Sequence, residues 1–167
     1  MHPIVTQARK IAGTAHVLAI IGLVCLAVTI ATKGGIAIGG YLFDHDASAG
    51  ARTNGALLAL IALMPAIMLF EAVNQLRHAL QRFSEGEFFS EQSANHVAQA
   101  GKHATLAMVA MILFVPNLER WLRSRGGFDI RIEPEYFGLL AFALFVAAIG
   151  RVLALSAQLK AENDAFV

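Results

Sequence analysis

Residues 11–32 read IAGTAHVLAIIGLVCLAVTIAT, 22 residues without a charge, and this stretch decides the solvent in which the chain folds. A hydrocarbon core about 30 Å thick takes about 20 helical residues to cross, so the run is long enough to span a bilayer. Three more runs of the kind follow. TNGALLALIALMPAIMLF, residues 53–70, continues through Glu71 to Leu76; His103 to Leu118 is uncharged; Tyr136 to Gly150 continues past Arg151 to Leu159. In lipid the backbone must be satisfied within a helix or a closed barrel, and none of these runs alternates as a barrel strand does. The expected fold is all-α: a polytopic membrane protein of one domain, residues 1–167, with spans near 11–32, 53–76, 102–120 and 136–157 packed as a four-helix bundle.

Composition agrees. Charged residues make up 15% of the chain, below the roughly 25% of soluble domains, and hydrophobic residues make up 57%. With four crossings in 167 residues, only short connections remain outside the membrane, and no separate soluble catalytic domain fits. A formal charge of +1 with mixed signs leaves no basic stripe to hold a nucleic-acid backbone. Arg9 and Lys10 before the first run also suit a secretory signal, but the run exceeds a signal core of about 7 to 15 residues and no small-x-small cleavage site precedes Lys33. It is read as a span.

Orientation rests on local charge. Arg9 and Lys10 directly precede the first span and Asp44 and Asp46 fall in the loop after it, which puts both termini and the loop from Arg77 to Lys102 in the cytoplasm. Tyr41, Trp121 and Tyr136 then share the outer interface.

The loop between the second and third spans has structure of its own. Leu76, Ala79, Leu80 and Phe83 recur at helical spacing, so the second helix is expected to run on past the membrane until Gly86 stops it. Ser90 is placed as an N-cap, with Glu91 in the first turn suiting the helix dipole. Two helices therefore extend into the cytoplasm, either as a solvated connection or as a docking surface for a soluble partner, in which Phe88 and Phe89 are the candidate contacts. Gly34, Gly35, Gly39 and Gly40 after the first span suit a flexible turn or a close helix contact. After the third span, Gly126 and Gly127 lead into Phe128 to Ile132, whose alternation suits an extended segment ended by Pro134.

The chemistry-bearing candidates lie at the inner ends of the spans. Glu71 follows 18 uncharged residues, and Asn74, Gln75 and His78 follow it on one helical face. Arg151 follows 15 uncharged residues of the fourth span, which runs in the same direction, so Glu71 and Arg151 are expected at similar depth, paired or sharing a polar cluster. Such a pair can line an ion path or fix helix register, and Arg151 can instead snorkel to the headgroups. His96 and His103 stand about 10 Å apart along one helix, too far to chelate one ion. No spacing of histidine or cysteine marks a metal, and no serine sits in a glycine-flanked elbow. Neither a metal, a cofactor nor an enzymatic activity is expected.

Leu76-Arg77-His78-Ala79-Leu80, then Gly86-Glu87-Phe88-Phe89-Ser90-Glu91-Gln92, Gly101 entering the third span, and the tail Gln158-Leu159-Lys160-Ala161-Glu162-Asn163-Asp164 resemble a family of bacterial four-helix membrane proteins, domain of unknown function 2975. The resemblance covers the whole chain, with Ala165-Phe166-Val167 in place of the family's usual leucine-threonine-aliphatic ending. It implies an integral inner-membrane protein, often encoded beside a small helix-turn-helix regulator, and supplies no activity. The expected function is a non-enzymatic regulatory or interaction protein. Its partner contacts would be Phe88, Phe89, Glu162, Asn163 and Asp164, its partner a soluble cytoplasmic regulator, and homo-oligomers are open to it. The alternative is a small ion or proton channel, or a transporter subunit, with Glu71 and Arg151 in its polar path.

Overall fold

The computed structural model describes residues 3–124, 126–131 and 133–164, and these are helical except at the corners. Helix α1 (Pro3–Thr29) passes through a π turn, Ile30–Gly34, into α2 (Gly35–Leu42); α3 spans Ala49–Glu85. Helix α4 (Glu91–Val109) passes through a second π turn, Ala110–Phe114, into α5 (Val115–Leu122), and α6 spans Pro134–Asp164. Among the described residues these form four rods, each long and apolar enough to cross a membrane. At about 1.5 Å per residue the 37 residues of α3 run about 55 Å, well past a hydrocarbon core of about 30 Å.

Of the two roles read for the glycines after the first span, a flexible turn or a close helix contact, Gly34 takes the second. The helix continues to Leu42, because Gly34 is buried against Leu63 and Gly55 admits the ring of Tyr41, so the α1–α2 rod stays packed on α3 through the glycine stretch. Gly86 and Ser90 act as read. Gly86 adopts φ 98°, the left-handed conformation that a side chain strains, and its N–H and that of Glu87 return to Phe83 and Arg82. Ser90 accepts from Ser93 N at 3.1 Å, its hydroxyl donates to Ser93 Oγ, and Ser93 donates to the Glu87 carbonyl, which locks the corner.

The second π turn has a readable cause. Pro116 has no N–H to give to the carbonyl four residues back, Ile112, and Arg131 N fills that place at 3.1 Å from the far loop. Asn117 holds the same loop by both amide atoms, donating to the Asp129 carbonyl and accepting from Asp129 N at 2.9 Å. The segment after Gly127 forms no strand among the described residues; it is held instead by a side chain and a helix carbonyl.

The rods pack in chain order: α1 on α3, α3 on α4, α4 on α6. Among the described residues neither α1 nor α3 makes an extended contact with α6, so the array is an open row. The α4–α6 seam is the closest, built where small residues let backbones meet. A β-carbon on Gly101 would collide with the Ala147 backbone, and one on Gly150 with that of Ala98.

Candidate functional site

At the end of the array that holds the termini, α1, α3 and α4 share a polar network. The four-residue repeat of Glu71, Gln75 and the adjoining Asn74 and His78 puts them on one side of α3, all half-buried. Gln75 donates from Nε2 to Glu71 Oε1 at 2.6 Å, and its Oε1 accepts from His96 Nδ1 of α4 at 2.8 Å, which makes Nδ1 the protonated nitrogen of His96. The His96 ring stacks on His78 with centroids 5.3 Å apart. Arg77 donates from Nη2 to His78 Nε2 at 2.9 Å and to Asn74 Oδ1 at 3.3 Å, while its carbonyl accepts from His16 Nδ1 of α1 at 3.1 Å. Three helices are thereby joined through side chains that would each be costly alone in a dry setting.

The network departs from expectation in two ways. Arg151 is not part of it: no ion pair joins Glu71 and Arg151 among the described residues, Glu71 is bonded to Gln75, and Arg151 is exposed on α6. The physical reason is the row order, which puts α4 between α3 and α6. His96, Arg77 and His16 are members that sequence reading missed. A signal for His96 existed: His78 and His96 are equidistant from Glu87 in the corner, and in an antiparallel hairpin such positions face each other.

Arg9 ties α1 to the same corner. Its Nε donates to the Ser84 carbonyl at 2.9 Å and its Nη2 to that of Glu85 at 2.7 Å, a cation on the last carbonyls of α3 where the helix dipole favours it. The Arg82–Glu87 ion pair, 2.8 Å, closes the other side of the turn.

Of the predicted partner contacts, Phe88 and Phe89 have separated. Phe88 is half-buried and stacks on Phe83 with centroids 5.8 Å apart, so it serves the corner. Phe89 is 57% exposed and, with Glu91, faces Ala157, Gln158, Lys160 and Ala161 of α6 across a cleft of about 290 Å³. Glu162 and Asn163 are exposed on the next turn, whereas the Asp164 side chain and residues 165–167 lie outside the described residues.

No family model matches the chain, and neither the curated proteins nor the solved structures contain a match.

Proposed function

We propose that this is an integral protein of a bacterial inner membrane, of the four-helix family its motifs resemble, with both termini in the cytoplasm and a non-enzymatic role as a regulatory or interaction protein. The observation that carries the reading is the cleft in which the α3–α4 corner and the last turns of α6 meet, two elements about 70 residues apart in sequence that form one surface, with Phe89 as its exposed apolar anchor. A soluble cytoplasmic regulator would bind there. The channel alternative draws less support, because Arg151 stands apart from Glu71 and the groove that runs beside the spans is lined by Leu69, Leu76, Met108, Leu139 and other apolar side chains.

Photo-crosslinking in native membranes tests it, with the reactive residue at 89, at 160 and, as a lipid-facing control, at 144. The expected result is one protein captured from both 89 and 160, not from 144, and lost when Glu91 and Lys160 are exchanged for residues of opposite charge. Equal capture at all three positions would refute the composite surface. Proton or monovalent-ion flux in liposomes that Glu71→Gln abolishes would replace the reading with the channel.

A further inference from the structure

At the opposite end of the array, the close of α5 and the loop after it put three arginines around one depression. Arg120, Arg123 and Arg131 line a cavity of about 290 Å³ with Glu119 and Asp129. The loop is held there by the Arg131 N–H on Ile112 and by the Asn117 amide on the Asp129 backbone, which fix the backbone position of Arg131. Arg120 is committed internally, donating to the Gly126 carbonyl at 2.8 Å and standing 3.6 Å from Asp129. Arg123 and Arg131 enter no ion pair among the described residues. With Asp129 engaged by Arg120, Glu119 is the one further carboxylate among the described residues that line the depression.

The depression does not end at the arginines. Glu119 and Arg131 also line a second cavity, of about 250 Å³, whose other walls are Ala62, Pro65, Ala66 and Leu69 of α3 with Met111 and Val115. Leu69 in turn lines the apolar groove of about 310 Å³ between α3, α4 and α6. A cationic mouth thus leads into an apolar trough along the crossing-length part of the rods. The groove exists because α6 packs on α4 and, among the described residues, makes no extended contact with α3.

We propose that this trough binds one glycerophospholipid with an anionic headgroup, its phosphodiester received by Arg123 and Arg131 and one acyl chain laid over Pro65 and Leu69 toward α6. Guanidinium groups pair with phosphate oxygens through two parallel charge-assisted bonds, and the excess of cations over carboxylates at the mouth favours net negative charge. Inorganic phosphate shares the headgroup chemistry but leaves the trough empty.

The test is native mass spectrometry of the full chain in a mild non-ionic detergent, titrated with dioleoyl phosphatidylglycerol, dioleoyl phosphatidylcholine or inorganic phosphate. One phosphatidylglycerol should be retained about tenfold more tightly than phosphatidylcholine, and Arg123→Gln with Arg131→Gln should erase that preference. Neither substitution breaks an ion pair, and unchanged helicity by circular dichroism shows that the fold persists. Ala66→Phe, which fills the trough without touching charge, should weaken both lipids. The single tryptophan, Trp121, adjoins Arg120 and gives a second readout: brominated phosphatidylglycerol should quench it more than brominated phosphatidylcholine, and the arginine substitutions should remove the difference. Equal retention of the two lipids, or a preference that survives the double substitution, overturns the proposal. Displacement of phosphatidylglycerol by inorganic phosphate alone also overturns it, by showing a site for a free anion.

Discussion

Gly150→Val should loosen α6 from the rest of the array. A β-carbon at position 150 would collide with Ala98 N and stand 2.6 Å from Ala98 Cα and 2.8 Å from its Cβ, whereas ordinary contact starts at 3.4 Å. The obstacle is a helix backbone, which cannot swing aside, so the two helices must part by about 1 Å near that turn. A radial gap of about 0.5–1 Å already forfeits a quarter to a half of the dispersion attraction of the atoms it separates. Overpacking of this kind costs about 1–3 kcal/mol, and α6 has no second neighbour against which to recover the lost contact. Valine in place of glycine raises intrinsic helix propensity, so any loss must come from the seam. Equilibrium unfolding in mixed detergent and dodecyl sulfate micelles, followed by helicity, reads the change. The control is Gly138→Val on the same helix, where a β-carbon meets nothing within 4 Å and the expected change is within about 0.5 kcal/mol. Equal stabilities for the two variants would refute the close crossing at Gly150. Crosslinking by a short bismaleimide between cysteines at 89 and 160, in a Cys25→Ser background, should fall in Gly150→Val and hold in Gly138→Val, since those positions face one cleft.

Arg9→Ala removes two bonds from the last carbonyls of α3, worth about 1 kcal/mol at a half-exposed helix end, and hydrogen exchange at Gly86 and Glu87 should speed up about fivefold; unchanged exchange there would mean that Gly86 closes the helix unaided. Asn117→Ala frees the Asp129 backbone on both sides, so the Asp129 amide should exchange faster and the loop 126–131 should become a protease site, while an unaltered amide would show that the Arg131 bond alone holds the loop. Gln75→Leu leaves Glu71 and His96 without their bridging amide and should lower stability in detergent by about 1–3 kcal/mol, with a rise in melting temperature as the outcome that contradicts a working network.

Much of the architecture was readable because helices long and apolar enough to cross a membrane advertise themselves by what they lack. Uncharged runs near 11–32, 53–70, 103–118 and 136–150 each fall inside a rod of crossing length, and the corner at Gly86 and Ser90 was marked by residues whose backbone and side-chain chemistry admits few other roles. The first span was read as ending near residue 32, whereas the rod runs on to Leu42, and of the two roles read for its glycines close helix contact holds at Gly34, where Leu63 packs. The turn at Ala110–Phe114 needed one more step of accounting: Pro116 orphans a carbonyl, and a loop about 20 residues on supplies the missing donor.

The polar site was half readable for a different reason. Counting uncharged residues gives a position along a rod, and Glu71 and Arg151 are close on that count. Which helices touch is decided instead by the faces they present, and here small residues decide it. Ala98 and Gly101 on α4 admit Ala147 and Gly150 of α6 to backbone contact, so α6 is drawn to α4, and α3 takes the opposite side of the row. Arg151 is then separated from Glu71 by a whole helix. Glu71 finds its partner within its own helix, at Gln75, and through it reaches α4 at His96. Two residues at a similar position along their rods form a pair only where the small-residue seams make their helices neighbours, and in this chain the seams join 98 to 150 and 101 to 147, not 71 to 151.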